Sequence, residues 1–157
     1  DSLKELNMHR KVQLIVSGGI RSGADVAKAM AMGADAVSIG SAAMIALNCN
    51  ADMYPEDYEK LGTAAGYCHH CHTGKCPVGV ATQDPELEKR LEPELAGKRV
   101  KNYLATLTLE LQTLARANGK SDVRNLEPED LAALTVEAAA MARVPLAGTN
   151  WIPGHKL

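Results

Sequence analysis

The sequence predicts an α/β fold, and three features of its first 49 residues carry that prediction. Residues 13–17 and 36–39 are short apolar runs, and glycine follows each of them. Between them lies a segment with apolar residues on one helical face, preceded by Ser22 and Asp25 at the spacing of a helix N-cap and ended by Gly33. The order strand, glycine loop, helix, strand, glycine loop, helix is typical of parallel sheets.

The two strands of this βαβ unit cannot form a stable sheet by themselves, because a two-stranded sheet buries too little apolar surface. Both runs are apolar on both faces, which is typical of strands that are covered on each side. No segment after Cys49 has the pattern of a strand. We therefore expect the rest of the sheet to come from residues that precede this chain or from a partner chain.

The composition excludes several classes of protein. Hydrophobic residues make up 46% of the 157 residues, which is too many for a disordered segment. The formal charge of -2 argues against nucleic acid as a partner, because phosphate binding requires a basic excess. No apolar run approaches the roughly 20 residues of a membrane span, and the first eleven residues are too polar for a signal peptide. We expect a cytoplasmic protein without a membrane partner.

Three segments follow one another along the chain. Residues 1–49 hold the two βα units, residues 50–85 are loop-like and carry three of the four cysteines, and residues 86–157 form a helical extension with an irregular tail. In the extension, apolar residues recur at three- and four-residue steps, which predicts one amphipathic helix ending near Gly119. A second helix is expected to begin near Pro128 and to continue to Met141.

Both glycine loops are candidates for binding a phosphate group. Glycine lets the backbone approach an anion closely, and a helix that starts after the loop offers N–H groups and the positive end of its dipole. Paired loops after the last two strands form the phosphate site of many (β/α)8 barrels. Tight βα turns are the alternative, but two such loops with a basic residue in the first favour phosphate binding. The candidate residues are Ser17, Gly18, Gly19, Arg21, Gly40 and Ser41.

The cysteines indicate metal chemistry, because three of the four lie within nine residues rather than being spread as in a disulfide scaffold. Cys68, Cys71 and Cys76 could hold an iron–sulfur cluster, and a proline follows Cys76 as in ferredoxin motifs. A redox disulfide between Cys68 and Cys71 is one alternative. Zinc is another, and its fourth ligand would be His69, His70, His72 or Cys49.

The residues around these cysteines resemble a known family. The segment from Cys71 to Pro85, CHTGKCPVGVATQDP, is similar to the cluster loop of the glutamate synthase large subunit. Upstream, SGGIRSG at residues 17–23 and IGSAA at residues 39–43 resemble the flavin phosphate loops of the same family, in the same order. The resemblance covers about residues 12–118. The cysteine loop is specific to the family, whereas the glycine loops occur in many FMN barrels.

The resemblance implies a (β/α)8 barrel that binds FMN, with a [3Fe–4S] cluster beside it. This chain would hold the last two βα units, the cluster loop and a helical extension, and the remaining barrel segment or subunit would complete the sheet. In the family, a glutamine amidotransferase-type domain or subunit releases ammonia, which condenses with 2-oxoglutarate to an imine. Reduced FMN then reduces this imine, and an electron donor supplies electrons to the flavin through the cluster. The catalytic residues are expected on earlier strands, so none is named here.

The spacing of the cysteines departs from the family pattern. The family's first cluster cysteine lies six positions before the second, and that position here is Ala65. Cys68 lies three positions before Cys71 instead, while Cys49 lies where the family's first cysteine follows the last helix, with residues 50–67 as an insertion. Either cysteine could replace the usual ligand, or all four could hold a [4Fe–4S] cluster. We favour Cys68, Cys71 and Cys76 as the ligands.

Three classes of function remain in competition. The first is a glutamate synthase-like enzyme with FMN and a cluster. Its N-methylglutamate synthase branch is suggested by GYCHHCH at residues 66–72 and by PLAGTNWIP at residues 145–153. The second is an electron-transfer or zinc-structured module, in which the glycine loops are only turns. The third is a non-catalytic subunit whose helices dock a partner. Visible spectra distinguish the first class from the other two.

Overall fold

A computed structural model describes residues 2–9 and 11–154, without the side chain of Lys4. Its helices and strands follow the predicted βαβα order and then become helical. They are α1 Ser2–Glu5, β1 Ile15–Ser17, α2 Gly23–Ala31, β2 Ala36–Ser38, α3 Ser41–Ala46, α4 Pro55–Lys60, α5 Pro85–Glu88, α6 Pro93–Ala117 and α7 Val136–Ala142, with short 3₁₀ helices at Cys71–Thr73, Val123–Asn125 and Pro128–Asp130. None of the helices in the described ranges combines the length and the hydropathy that a membrane crossing requires.

The described residues form two compact units. The first contains the chain up to Ile39 and from Leu107 onward, and the second contains Gly40–Thr106. Helix α6 contributes residues to both. The three-part division made from the sequence, 1–49, 50–85 and 86–157, stays a prediction, and its two ends at residue 1 and residues 155–157 lie outside the described residues.

In the first unit, β1 and β2 form a parallel pair connected through α2, as the sequence predicts. Val16 pairs with Val37 and Ser17 with Ser38, so the chain leaves both strands at the same end of the pair. Helix α2 begins where the Ser22 side chain accepts a hydrogen bond from the Asp25 amide at 3.3 Å. It ends before Gly33, whose φ of 103° is the left-handed conformation that favours glycine after a helix.

The core of the first unit lies between α2 and α6. Buried apolar side chains of both helices pack together with one residue of the following segment, and the set is Val26, Ala27, Ala31, Leu111, Ala115 and Leu126. The helices approach closely at Gly23, because a Cβ placed there would lie 2.5 Å from the Leu107 carbonyl oxygen and from the Leu111 amide nitrogen. Glycine at position 23 is therefore required by packing.

The two strands themselves are largely exposed, which differs from the expectation of strands covered on both faces. Ile15 is 65% exposed, and only Val16 of β1 and Val37 of β2 are half-buried. Val37 is half-buried because it packs against the core that α2 helps to form, whereas Ala36 and Ser38 on either side of it stay exposed. The apolar surface of the strands is available for further cover.

The second unit has a core of its own around Tyr58, which is 1% exposed. Tyr58 packs with Cys76 and Val78. Arg90 links helix α4 to the segment that follows Cys76. The Arg90 guanidinium donates to Asp57 and to the Pro77 carbonyl oxygen, each at 2.7 Å. The predicted loop of residues 50–85 thus contains the α-helix α4, which starts at Pro55 and supplies Tyr58.

The predicted continuous helix from Pro128 to Met141 is wrong. A 3₁₀ turn at Pro128–Asp130 is followed by extended chain, in which Ala133 forms a bridge with Leu146. A new helix, α7, then begins because the Thr135 hydroxyl accepts a hydrogen bond from the Ala138 amide at 3.1 Å. The backbone pairing with residues 145–147 competes with helix formation and prevails at residues 131–134.

Candidate functional site

The first glycine loop lies directly after β1 and is open. Gly18 and Gly19 have φ values of 103° and 69°, and a Cβ at either position would meet no atom within 4 Å. Ser17 and Arg21 on either side of the pair are exposed. The loop therefore presents unobstructed backbone beside a basic side chain, which fits a phosphate group.

The start of helix α2 differs from the expectation that it offers free N–H groups. The Gly23 amide donates to Glu110 Oε2 at 2.7 Å, the Asp25 amide to Ser22 Oγ at 3.3 Å, and the Arg21 amide to Asp25 Oδ2 at 3.1 Å. Hydrogen bonds from Arg21, Lys28 and Ser22 also hold the pKa of the Asp25 carboxyl below its usual value, with Lys28 the largest contributor. A phosphate at this loop would meet the glycine backbone and Arg21 rather than these helix amides.

The second glycine loop begins in the second unit. Gly40 precedes α3 as its N-cap, with φ -127° and ψ -82°, and Ser41 is the first helical residue. Both residues are exposed. Helix α3 has only six residues, so its dipole is small and any anion contact depends chiefly on the loop backbone and the Ser41 hydroxyl.

All four cysteines lie in the second unit and are free thiols. Cys76 is buried at 7% exposure in the Tyr58 core, Cys49 and Cys68 are half-buried, and Cys71 is exposed at the start of a 3₁₀ turn. The turn ends at Gly74, whose φ is 72°. The structure thus brings the three favoured ligands and Cys49 into one unit and forms no disulfide between Cys68 and Cys71.

Burial and neighbouring cysteines raise the pKa of two groups in this unit, Cys49 and Tyr58. Burial raises the pKa of the Cys49 thiol, and the neighbouring thiols of Cys71, Cys76 and Cys68 raise it further. Burial, followed by the charges of Cys68, Cys49 and Cys76, raises the pKa of Tyr58 to about 12. A cationic metal centre would offset the negative charge that neighbouring thiolates place on Cys49.

Zinc and an iron–sulfur cluster require different spacings of their protein donors. Within residues 2–9 and 11–154, no three His, Cys, Asp or Glu side chains are placed to share one metal ion. Four thiolates around one zinc ion would have to lie about 3.8 Å apart, given Zn–S bonds of about 2.3 Å. In an iron–sulfur cluster each thiolate binds a different iron, so the sulfurs are further apart. The candidate zinc ligands His70 and His72 stack on each other instead, with ring centroids 6.3 Å apart.

Three residues near these sites were missed from the sequence. The Asn50 side chain accepts a hydrogen bond from the Cys68 amide, and the Tyr58 side chain packs beside Cys76. The Glu110 carboxylate accepts a hydrogen bond from the Gly23 amide, 87 positions away in sequence. The sequence could have indicated a role for Asn50, because this residue directly follows Cys49. Nothing in the local sequence indicates the role of Glu110, because its partner comes near only after α6 packs on α2.

A parallel strand pair with glycine loops, joined to a loop of free thiols, defines an α/β protein with candidate phosphate and cluster sites. Residues 1–121 match the family model described as the conserved region in glutamate synthase. The chain belongs to the glutamate synthase family.

Relatives of the chain include proteins of bacteria, archaea and algae. It is 65% identical over 153 residues to a glutamate synthase large subunit-like protein of Rhizobium meliloti, which covers 98% of this chain and 35% of that protein. It is 43% identical over 124 residues to an archaeal glutamate synthase [NADPH] of Methanocaldococcus jannaschii, covering 79% of this chain and 21% of the relative. A ferredoxin-dependent glutamate synthase of Cyanidium caldarium is 37% identical over 134 residues. The chain spans about a third of the first relative and about a fifth of the second.

Proposed function

We propose that this chain is part of a glutamate synthase-like oxidoreductase, a flavoprotein that transfers an amino group through an imine to form glutamate. In this proposal the chain supplies the last two βα units of a (β/α)8 barrel, and another segment or subunit supplies the other strands. Family membership supports the activity. The exposed apolar strands support the need for further strands, because Ile15 and its neighbours lack cover.

The FMN phosphate would be bound by Ser17, Gly18, Gly19, Arg21, Gly40 and Ser41. FMN supplies hydride chemistry when it is bound, and an iron–sulfur cluster delivers single electrons to it. The role of this chain is to hold the phosphate with open glycine backbone and the Arg21 side chain. No catalytic acid or base is assigned to the chain, because the residues that touch the substrate would lie on the other strands.

The iron–sulfur cluster would be bound by Cys68, Cys71 and Cys76. The single observation that carries this proposal is that these thiols are free and share one unit with a buried core at Cys76. At that core the Cys76 residue is 7% exposed to solvent. A zinc-structured or electron-transfer module is the competing function, and it would contain no flavin.

The partners in this proposal are a glutamine amidotransferase-type domain or subunit, which supplies ammonia, and an electron donor. In the N-methylglutamate branch, methylamine would exchange with the amino group of glutamate through an oxidised imine and release ammonia. The motifs at residues 66–72 and 145–153 are what favour that branch. The amine that supports turnover by the purified enzyme decides between the two.

The proposal is tested on the complete protein, purified without oxygen. We expect a flavin spectrum, FMN released on denaturation, and about three or four irons per chain with matching acid-labile sulfide. Zinc without flavin would overturn the proposal and favour a structural module. A cluster without flavin would favour an electron-transfer module.

A matched pair of glycine variants tests the first phosphate loop. Gly18 and Gly33 share a φ of 103°, and neither has an atom within 4 Å of the position of a Cβ. Gly18→Ala and Gly33→Ala therefore impose similar backbone strain, but only the first alters the proposed phosphate loop. We expect Gly18→Ala to lower the FMN content at least tenfold and Gly33→Ala to retain FMN. Equal flavin content in both variants would overturn the assignment.

A further inference from the structure

The side chain of Asn50 ties the segment of Cys49 to the backbone of Cys68. Asn50 Oδ1 accepts a hydrogen bond from the Cys68 amide at 2.9 Å, and Asn50 Nδ2 donates to the Cys68 carbonyl oxygen at 3.4 Å. Nδ2 also lies 3.9 Å from Cys49 Sγ. One amide group thus contacts the Cys49 sulfur and both backbone groups of Cys68. This arrangement, the Asn50 clamp, places two cysteines 19 positions apart in sequence side by side.

The segment between these cysteines folds back so that the clamp can close. The Tyr58 hydroxyl donates to the Ala51 carbonyl oxygen at 3.1 Å, while its ring packs beside Cys76 and Cys68. The Thr63 hydroxyl donates to the Tyr67 carbonyl oxygen at 3.1 Å, which directs the chain toward Cys68. The insertion is therefore an ordered closed loop, and both of its ends lie at the cysteines.

Cys49 is also fixed from the other side. Its amide donates to the Met44 carbonyl oxygen at 3.0 Å, at the end of α3. Asn50 adopts a φ of 62°, a left-handed conformation in which asparagine is enriched, and this turns the chain after Cys49. The backbone is therefore constrained on both sides of the Cys49 thiol, and the Asn50 side chain contacts both this thiol and the Cys68 backbone.

We infer that Cys49 is a fourth thiolate ligand beside Cys68, Cys71 and Cys76, and that the loop holds a four-iron cluster. This inference rests on the proposed function, which provides for a cluster at the last three of these cysteines. A cubane cluster has four iron corners, and each corner takes one thiolate. Three thiolates would leave one corner without a protein ligand. Cys49, which the Asn50 clamp positions, would supply the fourth thiolate. Asn50 acts as a positioning residue, because its side chain contacts the Cys49 sulfur and forms hydrogen bonds with the Cys68 backbone.

The complete protein, purified without oxygen, gives the first test. We expect about four irons and about four sulfides per chain, no EPR signal in the oxidised cluster, and a signal after one-electron reduction. An oxidised three-iron cluster is paramagnetic, so an EPR signal before reduction that accounts for one spin per chain would overturn the inference. That result would leave the proposed function intact. Absence of iron and sulfide would overturn both.

Two cysteine variants identify the ligand set. If all four thiolates bind, Cys49→Ser and Cys68→Ser should each reduce the iron from about four to about three per chain and produce the oxidised three-iron EPR signal. If the set is Cys68, Cys71 and Cys76, Cys49→Ser leaves iron and EPR unchanged and overturns the inference. If Cys68 is not a ligand, Cys68→Ser is the variant without effect, which overturns it as well. The parent spectrum decides the question if a variant fails to fold.

Discussion

The strand pair of the first unit and the cysteine loop of the second unit, residues 49–82, differ in how far their apolar residues are buried. Ile15 of the strand pair is 65% exposed, whereas Tyr58 of the cysteine loop is 1% exposed. The strand pair is extended backbone whose side chains are largely exposed to solvent. The cysteine loop folds its insertion over its own aromatic ring. The more irregular region is therefore the better-packed one.

This difference follows from how each region obtains its contacts. A parallel strand gains its packing from neighbouring strands and from layers on both faces, so a pair taken alone stays open. The cysteine loop obtains cover within about 30 residues of sequence, by way of α4 and Arg90. We expect the loop to be locally stable, and the strand pair to depend on the rest of the barrel in the proposed enzyme.

The largest effect is expected at the aromatic core of the cysteine loop. Tyr58→Ala should destabilise the protein by about 3–5 kcal/mol, because it leaves a cavity beside Cys76. Tyr67→Ala is the matched control, since Tyr67 lies in the same loop at 73% exposure, and it should change stability by about 0.5 kcal/mol or less. Urea unfolding monitored by far-ultraviolet circular dichroism measures both. Equal effects would show that the loop has no core of its own.

The next effect tests whether the strand pair is covered in the complete protein. Ile15→Ala should destabilise the complete protein by about 2–5 kcal/mol if other strands and side chains bury Ile15 there. Met32→Ala, at the C-cap of α2 with a similar exposure of 58%, serves as the control and should cost about 0.5 kcal/mol or less. Thermal unfolding midpoints compare the two variants. A small loss for both would contradict the view that the strand pair lies within a larger sheet.

A smaller effect is expected where α2 packs on α6 beneath the strand pair. Gly23→Ala should cost about 1–3 kcal/mol, because its Cβ would lie 2.5 Å from backbone atoms of Leu107 and Leu111. Gly97→Ala, also in a helix but with no atom within 4 Å of the new Cβ, should instead stabilise by up to about 1 kcal/mol. Urea midpoints of the two variants should move in opposite directions. A shift in the same direction would contradict the close approach.

The smallest effect is expected for the Asn50 clamp. Asn50→Gly keeps the left-handed turn but removes both bonds to Cys68, which should cost about 1 kcal/mol and speed the loss of iron to a chelator. Asn48→Gly is closely matched, since Asn48 has a φ of 88° and its side chain donates to the Met53 sulfur. Iron release should be faster in the first variant alone. Similar rates in both would show that the clamp does not position the cluster ligands.

The local sequence determined much of the secondary structure of this protein. The βαβ order, the N-cap at Ser22, the stop at Gly33 and the long amphipathic helix were predicted and are confirmed, because each depends on residues within a few positions. The cysteine motif likewise indicated the family, and the family match confirms it. The assignments of phosphate and cluster ligands stay predictions, since the experiments above are what test them.

Only the tertiary structure decided the rest, because it depends on partners distant in sequence. The pairing of Ala133 with residues 145–147 broke a helix that local propensity favoured. Glu110 reached Gly23 across 87 positions, and Asn50 reached Cys68 across 18. Local patterns set which segments become helix or strand and which residues carry the chemistry. Long-range packing set which amides, thiols and apolar faces meet, because those contacts form only when separate segments are folded together.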